Sequence, residues 1–384
     1  VTAARFPSLV PDCGALIHTI AFALPTAFFT DGNDREDVSP LIPLGNLLSA
    51  LPREIIAVIV IDRACIPSAR HWLGGLAITC TTELLALDAN GNIAHPWIQD
   101  VFHVRAGSDG ATTELVSARG NPCADALANR FGLATAASDI LLDGGNQLVG
   151  PDFRLVGHSS LQGGGTGGRP AGHLQQQQRI QALDGRTLYS FGYRPEDLGA
   201  SAAPAGLSPV KSPPSTMPDG KMHQCGFHVD QFVSVTGLRR DGRPLLLVAD
   251  PMAHGGCSAR VVSDLKQKLD ASVLSLVRQG FAIARNPIPV SPAIDSNKCI
   301  PRLYNNVILE NVVRPGQIQP FVWLPHFGDR ETLEWFDEEN RKIWKGLGFD
   351  PIGVAGWSHL ASRNGALRCA TKVMRRAPAR VPPL

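Results

Sequence analysis

The sequence predicts an α/β fold, and three observations carry that prediction. Short apolar bursts rich in β-branched and aromatic residues recur between Gly, Pro and Asn, the pattern of buried strands. Stretches with helical apolar spacing lie between them, and strands alternating with helices give an α/β architecture. Gly and Pro together number 68 of the 384 residues, above a usual share of roughly 12 %, which calls for many turns and argues against a helical bundle.

The expected strands, in chain order, are Ile55–Ile61, Asp139–Leu142, Gln147–Val156, Phe227–Thr236, Pro244–Ala249, Tyr304–Val312 and Phe321–Leu324. A first helix is expected over Asn121–Phe131. A second runs over Val261–Gln279, with Val262, Leu265, Leu269, Val273 and Leu276 on one face. A third covers Arg330–Leu347, with Asp329 as its cap and Gly348 as its stop. Two low-complexity stretches, near 162–179 and 199–220, read as surface insertions within one domain, because loops of that length are functional or disordered more often than structural. Residues 1–45 match no element, 46–376 read as one large domain, and the tail 377–384 is expected to fray.

Composition limits the function classes. Lys and Arg number 36 against 34 Asp and Glu, for a net charge of +2, so the concentrated basic surplus of a nucleic-acid binder is missing. The apolar run from Ala15 to Phe29 is broken by His18 and Pro25 and is too short to span a bilayer, so no membrane partner is expected. Eight cysteines are scattered without CxxC spacing, which reads as free buried thiols in a reducing compartment and favours the cytoplasm. Oligomeric state has no signal.

Four segments carry residues capable of chemistry. Cys369 lies between Arg368 and small residues, where a neighbouring cation lowers a thiol pKa and makes a nucleophile, although a lone Cys is more often a small core residue. In Phe227-His228-Val229-Asp230-Gln231, a strand would project His228 and Asp230 into one cavity and turn Phe227, Val229 and Gln231 away. Pro96-Trp97-Ile98-Gln99-Asp100 sets an acid after an aromatic. Leu142-Asp143-Gly144-Gly145-Asn146 ends a strand in a Gly-Gly turn, where Asp143 is equally well explained by turn chemistry. GxxxxGK[ST] and GxSxG are both absent, which counts against P-loop nucleotide binding and against an α/β hydrolase. His223, His228 and Asp230 form the only compact metal-like group, a weaker reading because zinc takes three or four well-spaced ligands.

Taken in order, these segments resemble the catalytic domain of the protein-arginine deiminases, in the guanidine-modifying (pentein) superfamily. Trp97-Ile98-Gln99-Asp100 is similar to that family's Trp-x-Gln-Asp, Gly226 to Ser234 to its Gly-His-Val-Asp-Glu-Phe, and Gly365 to Arg376 to its cysteine-bearing end. Leu142 to Asn146 is similar to the acidic Gly-Gly turn of agmatine and arginine deiminases. The resemblance implies a pentein α/β propeller of five ββαβ units about a pseudo-fivefold axis. It implies Cys369 as nucleophile, His228 as general acid/base, and Asp100 with Asp230 clamping a guanidinium. Trp97, Arg119, Asp143 and Arg368 would bind substrate, with Arg119 on a peptide carbonyl and Arg368 where the family commonly has His.

The main expectation is therefore hydrolysis of peptidyl arginine to citrulline and ammonia. The alternatives are a small-molecule deiminase for agmatine or free arginine, and a non-catalytic pentein-like or metal-binding module. No cofactor is expected to be required. Calcium is the one the resemblance raises, but Val101 and His103 stand where the family has acids after Asp100, and apolar Leu148 and Val149 follow the Asn146 turn.

Overall fold

The computed structural model describes residues 8–30, 39–87, 93–107, 112–117, 121–162, 170–199, 222–293, 298–328 and 332–377. Among these residues the strands form five small sheets of three or four strands each. One rule builds every sheet: two antiparallel strands, a helix, then a strand parallel to the second of the pair.

Phe102–Ala106 and Thr112–Ser117 pair antiparallel, the helix Pro122–Phe131 follows, and Ala134–Ala137 returns parallel. Gln147–Val149 pairs with Phe153–Gly157, and Thr187–Phe191 returns after the helices His158–Leu161 and Pro170–Ala182. Val233–Arg240 and Arg243–Ala253 are joined, through the helix Ala259–Arg278, to Ala282–Pro292. Ile308–Leu309 pairs with Phe321–Pro325, and the helix Glu334–Gly346 leads to Asp350–Val354. The last sheet joins both ends of the described chain. Lys372–Ala377 pairs antiparallel with Leu16–Leu24, and Ile56–Asp62 returns parallel after the helix Leu41–Ala50. Parallel neighbours need such a crossover, whereas antiparallel ones need only a turn.

The helices follow from local sequence. Asn121 accepts the backbone N–H groups of Cys123 and Ala124 at 3.1 Å, Pro122 starts the helix, and Gly132 ends it at φ +64°. Ser258 caps Ala259–Arg278, whose Val262, Leu269 and Leu276 are buried as the spacing predicts. Each contributes about 1.5–3 kcal/mol by leaving water. Ile56–Asp62 lies between two parallel neighbours with its five central residues buried, which explains a continuous apolar run with no alternation. Trp323 in the fourth sheet, Trp344 in its helix and Trp357 after its last strand are fully buried in one core.

Several expectations change. His228 to Gln231 does not form a strand: His228 is extended, Val229–Gln231 is a 3-10 turn, and the strand begins at Val233. The backbone closes there through Gln231 N–H to His228 O and Phe232 N–H to Val229 O. Asp139–Leu142 lies outside every strand, and only Ile308–Leu309 of the Tyr304–Val312 burst is paired. The third helix starts at Glu334 rather than Arg330. Thr332 stands at φ +66°, and Asp329, its expected cap, lies outside the described residues. Leu16–Leu24 becomes a sheet strand from within the segment that matched no element, and the helix Pro170–Ala182 takes up the second half of the first low-complexity stretch and runs past its end. Residues 201–221 lie outside the described residues.

The cysteines also differ from expectation. Cys257 and Cys299 form a disulfide with Cα atoms 5.9 Å apart, while Cys13, Cys65, Cys80, Cys123, Cys225 and Cys369 are free and buried. The sheet brings the pair together. Ala253 pairs with Val290 and Pro292 pairs with Cys299, so the end of one strand meets the start of another across 42 residues. Among the described residues no helix is long and apolar enough to cross a membrane.

Candidate active site

Every unit presents a turn just ahead of its first strand, and the candidate residues lie in those turns. Asp100 ends Ile98–Asp100, Asp143 precedes Gly144–Asn146, and His228 with Asp230 forms the third turn. Asn306 stands just before Ile308–Leu309, and Cys369 just before Lys372–Ala377.

Hydrogen bonds join the five turns in a ring. Gly145 N–H donates to Asp100 Oδ1 at 2.6 Å, and Val229 N–H donates to Asn146 Oδ1 at 3.3 Å. Asn306 Nδ2 donates to the Asp230 carbonyl at 3.3 Å, Arg368 N–H to the Asn306 carbonyl at 3.2 Å, and Gln99 N–H to the Cys369 carbonyl at 3.2 Å. Residues more than 260 positions apart are thus held by short-range contacts between neighbouring turns.

Gly145 lies where the chemistry-bearing groups converge. A Cβ on it would fall 2.6 Å from His228 Nδ1, 3.0 Å from Asp100 Oδ1 and 3.3 Å from Asp230 Oδ1. His228 Nε2 contacts Asp143 Oδ2 at 3.2 Å, and its Nδ1 is 3.9 Å from Asp100 Oδ2. Burial alone would pull the His228 pKa down. The Asp143 hydrogen bond, with the Asp100, Asp230 and Asp143 charges, overcomes burial and leaves it raised. The same hydrogen bond lowers Asp143, which is 58 % exposed at the rim, whereas burial raises Asp100 despite the nearby imidazole.

Cys369 is buried with its Sγ 3.6 Å from Asp230 Oδ2. Burial, followed by the Asp230 and Asp100 charges, raises its thiol well above the ordinary value, with the Asn306 hydrogen bond opposing. Arg368 does not reverse this. Its guanidinium is bound to Asp230 Oδ2 at 2.8 Å, Asp12 Oδ1 at 3.0 Å, the Gly144 carbonyl at 3.3 Å and the Gln147 carbonyl at 2.9 Å. It is a fixed partner of Asp230 rather than a donor facing the cluster. Breaking a buried pair of this kind costs about 3–5 kcal/mol. Asp230 Oδ1, by contrast, is buried with no hydrogen-bond partner and faces the space over Gly145.

Trp97 packs against Gly365, where a Cβ would fall 2.5 Å from its ring. Phe227, expected to turn away, stacks on His228 with centroids 4.0 Å apart and stays 61 % exposed. Arg119 lies outside the described residues. His223 does not join His228 and Asp230. It is exposed and pairs with Tyr193, and no group of three or more metal-ligating side chains occurs among the described residues. The positions raised for calcium do not fit that ion. His103 is buried with Nε2 donating to the Leu142 carbonyl at 3.0 Å, and Leu148 and Val149 are buried and apolar.

No family model and no curated protein sequence matches the chain. Solved structures do match it over nearly its full length. An agmatine deiminase of C. jejuni has a TM-score of 0.64 at 12 % identity, covering 98 % of this chain and 99 % of that one. An agmatine deiminase of Enterococcus faecalis has 0.62 at 11 %, covering 99 % of each. A candidate peptidyl-arginine deiminase has 0.60 at 13 %, covering 97 % and 99 %. The chain has the fold of the pentein deiminases.

Within this pentein fold, the sequence missed three groups near the cluster. Asp12 and Asn306 have no motif around them. Lys372, in an alternating strand, would ordinarily face water. Instead it is buried, donating to the Gln99 carbonyl at 3.1 Å and lying 5.6 Å from the Phe102 ring centre. Burial, then Arg368, lowers its pKa from 10.5 to about 7. The unfolded chain keeps this proton up to about 10.5 and the folded one only to about 7. The penalty is therefore full below pH 7 and disappears as pH rises through 10.5. Lys372→Met is expected to stabilise the protein at pH 7 by on the order of 4 kcal/mol more than at pH 10.5. Thermal unfolding at the two pH values checks this, and an equal gain at both contradicts it.

Proposed function

We propose that this protein is a hydrolase that deiminates a small guanidine, agmatine first and free arginine second, through a covalent intermediate on Cys369. The carrying observation is the convergence over Gly145 of Asp100, the unpartnered Asp230 Oδ1 and His228, with the Cys369 thiol against Asp230. Two carboxylates match the forked N–H donors of a planar guanidinium. The small substrate is favoured over peptidyl arginine by the agmatine deiminases among the similar structures and by the closure of the cluster, where Cys369 is 3 % exposed and Asp230 0 %. Trp97 is the candidate wall of the slot, and Arg119 remains the candidate carbonyl partner of a peptide.

In this proposal the five sheets are the blades of a propeller around a pseudo-fivefold axis. The common building rule and the ring of turns support that reading. The domain it forms covers 46–376 together with the strand Leu16–Leu24.

The reaction follows from the charges. Binding of the cation next to two carboxylates expels the thiol proton to solvent, so one positive charge replaces another. The thiolate attacks the guanidinium carbon. His228, protonated and held by Asp143, gives its proton to the departing nitrogen, the C–N bond breaks, and ammonia leaves. Water then loses a proton to His228 as its oxygen bonds to the carbon. The C–S bond breaks as the hydroxyl proton is lost to the released ammonia, making ammonium; this returns the thiolate and the ureido product and leaves His228 protonated for the next turnover. No metal takes part in any step.

Steady-state ammonia release from agmatine, free arginine and a peptidyl arginine, with and without calcium, tests the reading. The expected result is a small guanidine as the best substrate at equal concentration, one ureido product per ammonia, and no response to calcium. Preference for the peptide would move the assignment to protein deimination, and no ammonia from any guanidine would end it.

A further inference from the structure

Four of the five turns supply the groups used above: Asp100, Asp143 with Gly145, His228 with Asp230, and Cys369. The fifth supplies Asn306, which is fully buried and touches the reacting sulfur. Asn306 Nδ2 donates to Cys369 Sγ at 3.2 Å while its Oδ1 accepts the Cys369 N–H at 3.1 Å. The same Nδ2 lies 3.3 Å from the Asp230 carbonyl, and the Asn306 carbonyl accepts the Arg368 N–H at 3.2 Å. Only one amide orientation satisfies these contacts. Exchanging O and N would set a carbonyl oxygen against the Asp230 carbonyl and an N–H₂ against the Cys369 N–H.

The surroundings give that donor work to do. Asp230 Oδ2, 3.6 Å from Sγ, disfavours a thiolate, and Arg368, bound to that same oxygen and to Asp12 and the Gln147 carbonyl, does not offset this. A neutral amide donor favours the charged sulfur without competing with a cationic substrate for the carboxylates. Its second bond, to the Cys369 backbone, fixes the direction from which Sγ attacks.

We propose that Asn306 is a catalytic residue of the deimination described above, the donor that stabilises the Cys369 thiolate and aims it at the guanidinium carbon. This rests on the small-guanidine reading for its reaction, but its central test needs no substrate. Cys369 is alkylated with iodoacetamide across pH in the folded protein, and the modified residue is followed by peptide mass. Wild type is compared with Asn306→Asp, which is isosteric and keeps the acceptor for Cys369 N–H, and with Asn306→Ser, which withdraws the donor.

Both variants are expected to shift the alkylation midpoint upward, by about one to two pH units, with Asn306→Asp the larger. Both should lower kcat by roughly 100-fold while KM changes only a few-fold. An unchanged midpoint in variants that fold and still bind substrate would overturn the proposal. Failure of both to fold would overturn it too, by assigning Asn306 to structure. A shifted midpoint in a protein that releases no ammonia from any guanidine would support the thiolate contact and sink the deiminase reading instead.

Discussion

Cys369→Ala is expected to lose ammonia release by on the order of 10⁴-fold or more, because the proposed reaction forms its covalent intermediate on Cys369. The fold should survive. The bonds that hold this turn use the Cys369 backbone: its N–H to Asn306 Oδ1 and its carbonyl from Gln99 N–H. Only Sγ is lost, and with it a buried thiol pressed against Asp230, so the stability change should stay within about 1 kcal/mol. Circular dichroism and thermal unfolding establish the fold, and the ammonia assay reads the loss. Retention of the wild-type rate would remove Cys369 from the mechanism.

Gly145→Ala is expected to be nearly as damaging, for a different reason. Its φ is not positive, so the added methyl meets no backbone strain and its effect comes from contacts. The methyl carbon would lie 2.6 Å from His228 Nδ1 and 3.0 Å from Asp100 Oδ1, distances that real Cβ atoms avoid. It would fill the space over Gly145 where the proposed guanidinium would sit between the carboxylates. It would also strain the Gly145 N–H bond to Asp100. A misplacement of about 1 Å costs on the order of 10²-fold in rate, and exclusion of substrate adds to it. We expect kcat/KM to fall at least about 10³-fold. The thiol should remain alkylatable, because the atoms nearest the methyl are His228 Nδ1, Asp100 Oδ1 and Asp230 Oδ1 rather than Sγ. Near-wild-type kcat/KM would show that the substrate lies elsewhere.

How much of this could be read from the chain depends on where each signal resides. Asp100, Asp143, His228, Asp230 and Cys369 sit in short segments whose residue types are recognisable by themselves, so each could be picked out locally. Their meeting was implied only by resemblance, because it depends on five turns being brought to one place. Asn306 has no such segment. An Asn-Asn pair before a two-residue strand looks like ordinary loop sequence, and its role depends on contact with a cysteine 63 positions away.

The strand reading of His228 to Gln231 failed because alternation of polar and apolar residues also arises in a 3-10 turn with both faces buried. Leu16–Leu24 stayed invisible because its partners are the far end of the chain and Ile56–Asp62. Its polar His18 and the Pro25 after it suggested an interrupted run rather than an inner strand. Cys257 and Cys299 carried no spacing signal, since sheet register alone unites them. Lys372 was unreadable for the same reason as Leu16–Leu24: only packing against the other turns buries a lysine.

The most direct measurement is an acid quench of wild-type protein during turnover of agmatine, followed by peptide mass analysis. Covalent catalysis by Cys369 predicts an adduct on the Cys369 peptide equal to agmatine less ammonia, absent in Cys369→Ala and lost from wild type as substrate runs out. Turnover of agmatine with unmodified Cys369 throughout, or the adduct on a different residue, would contradict it.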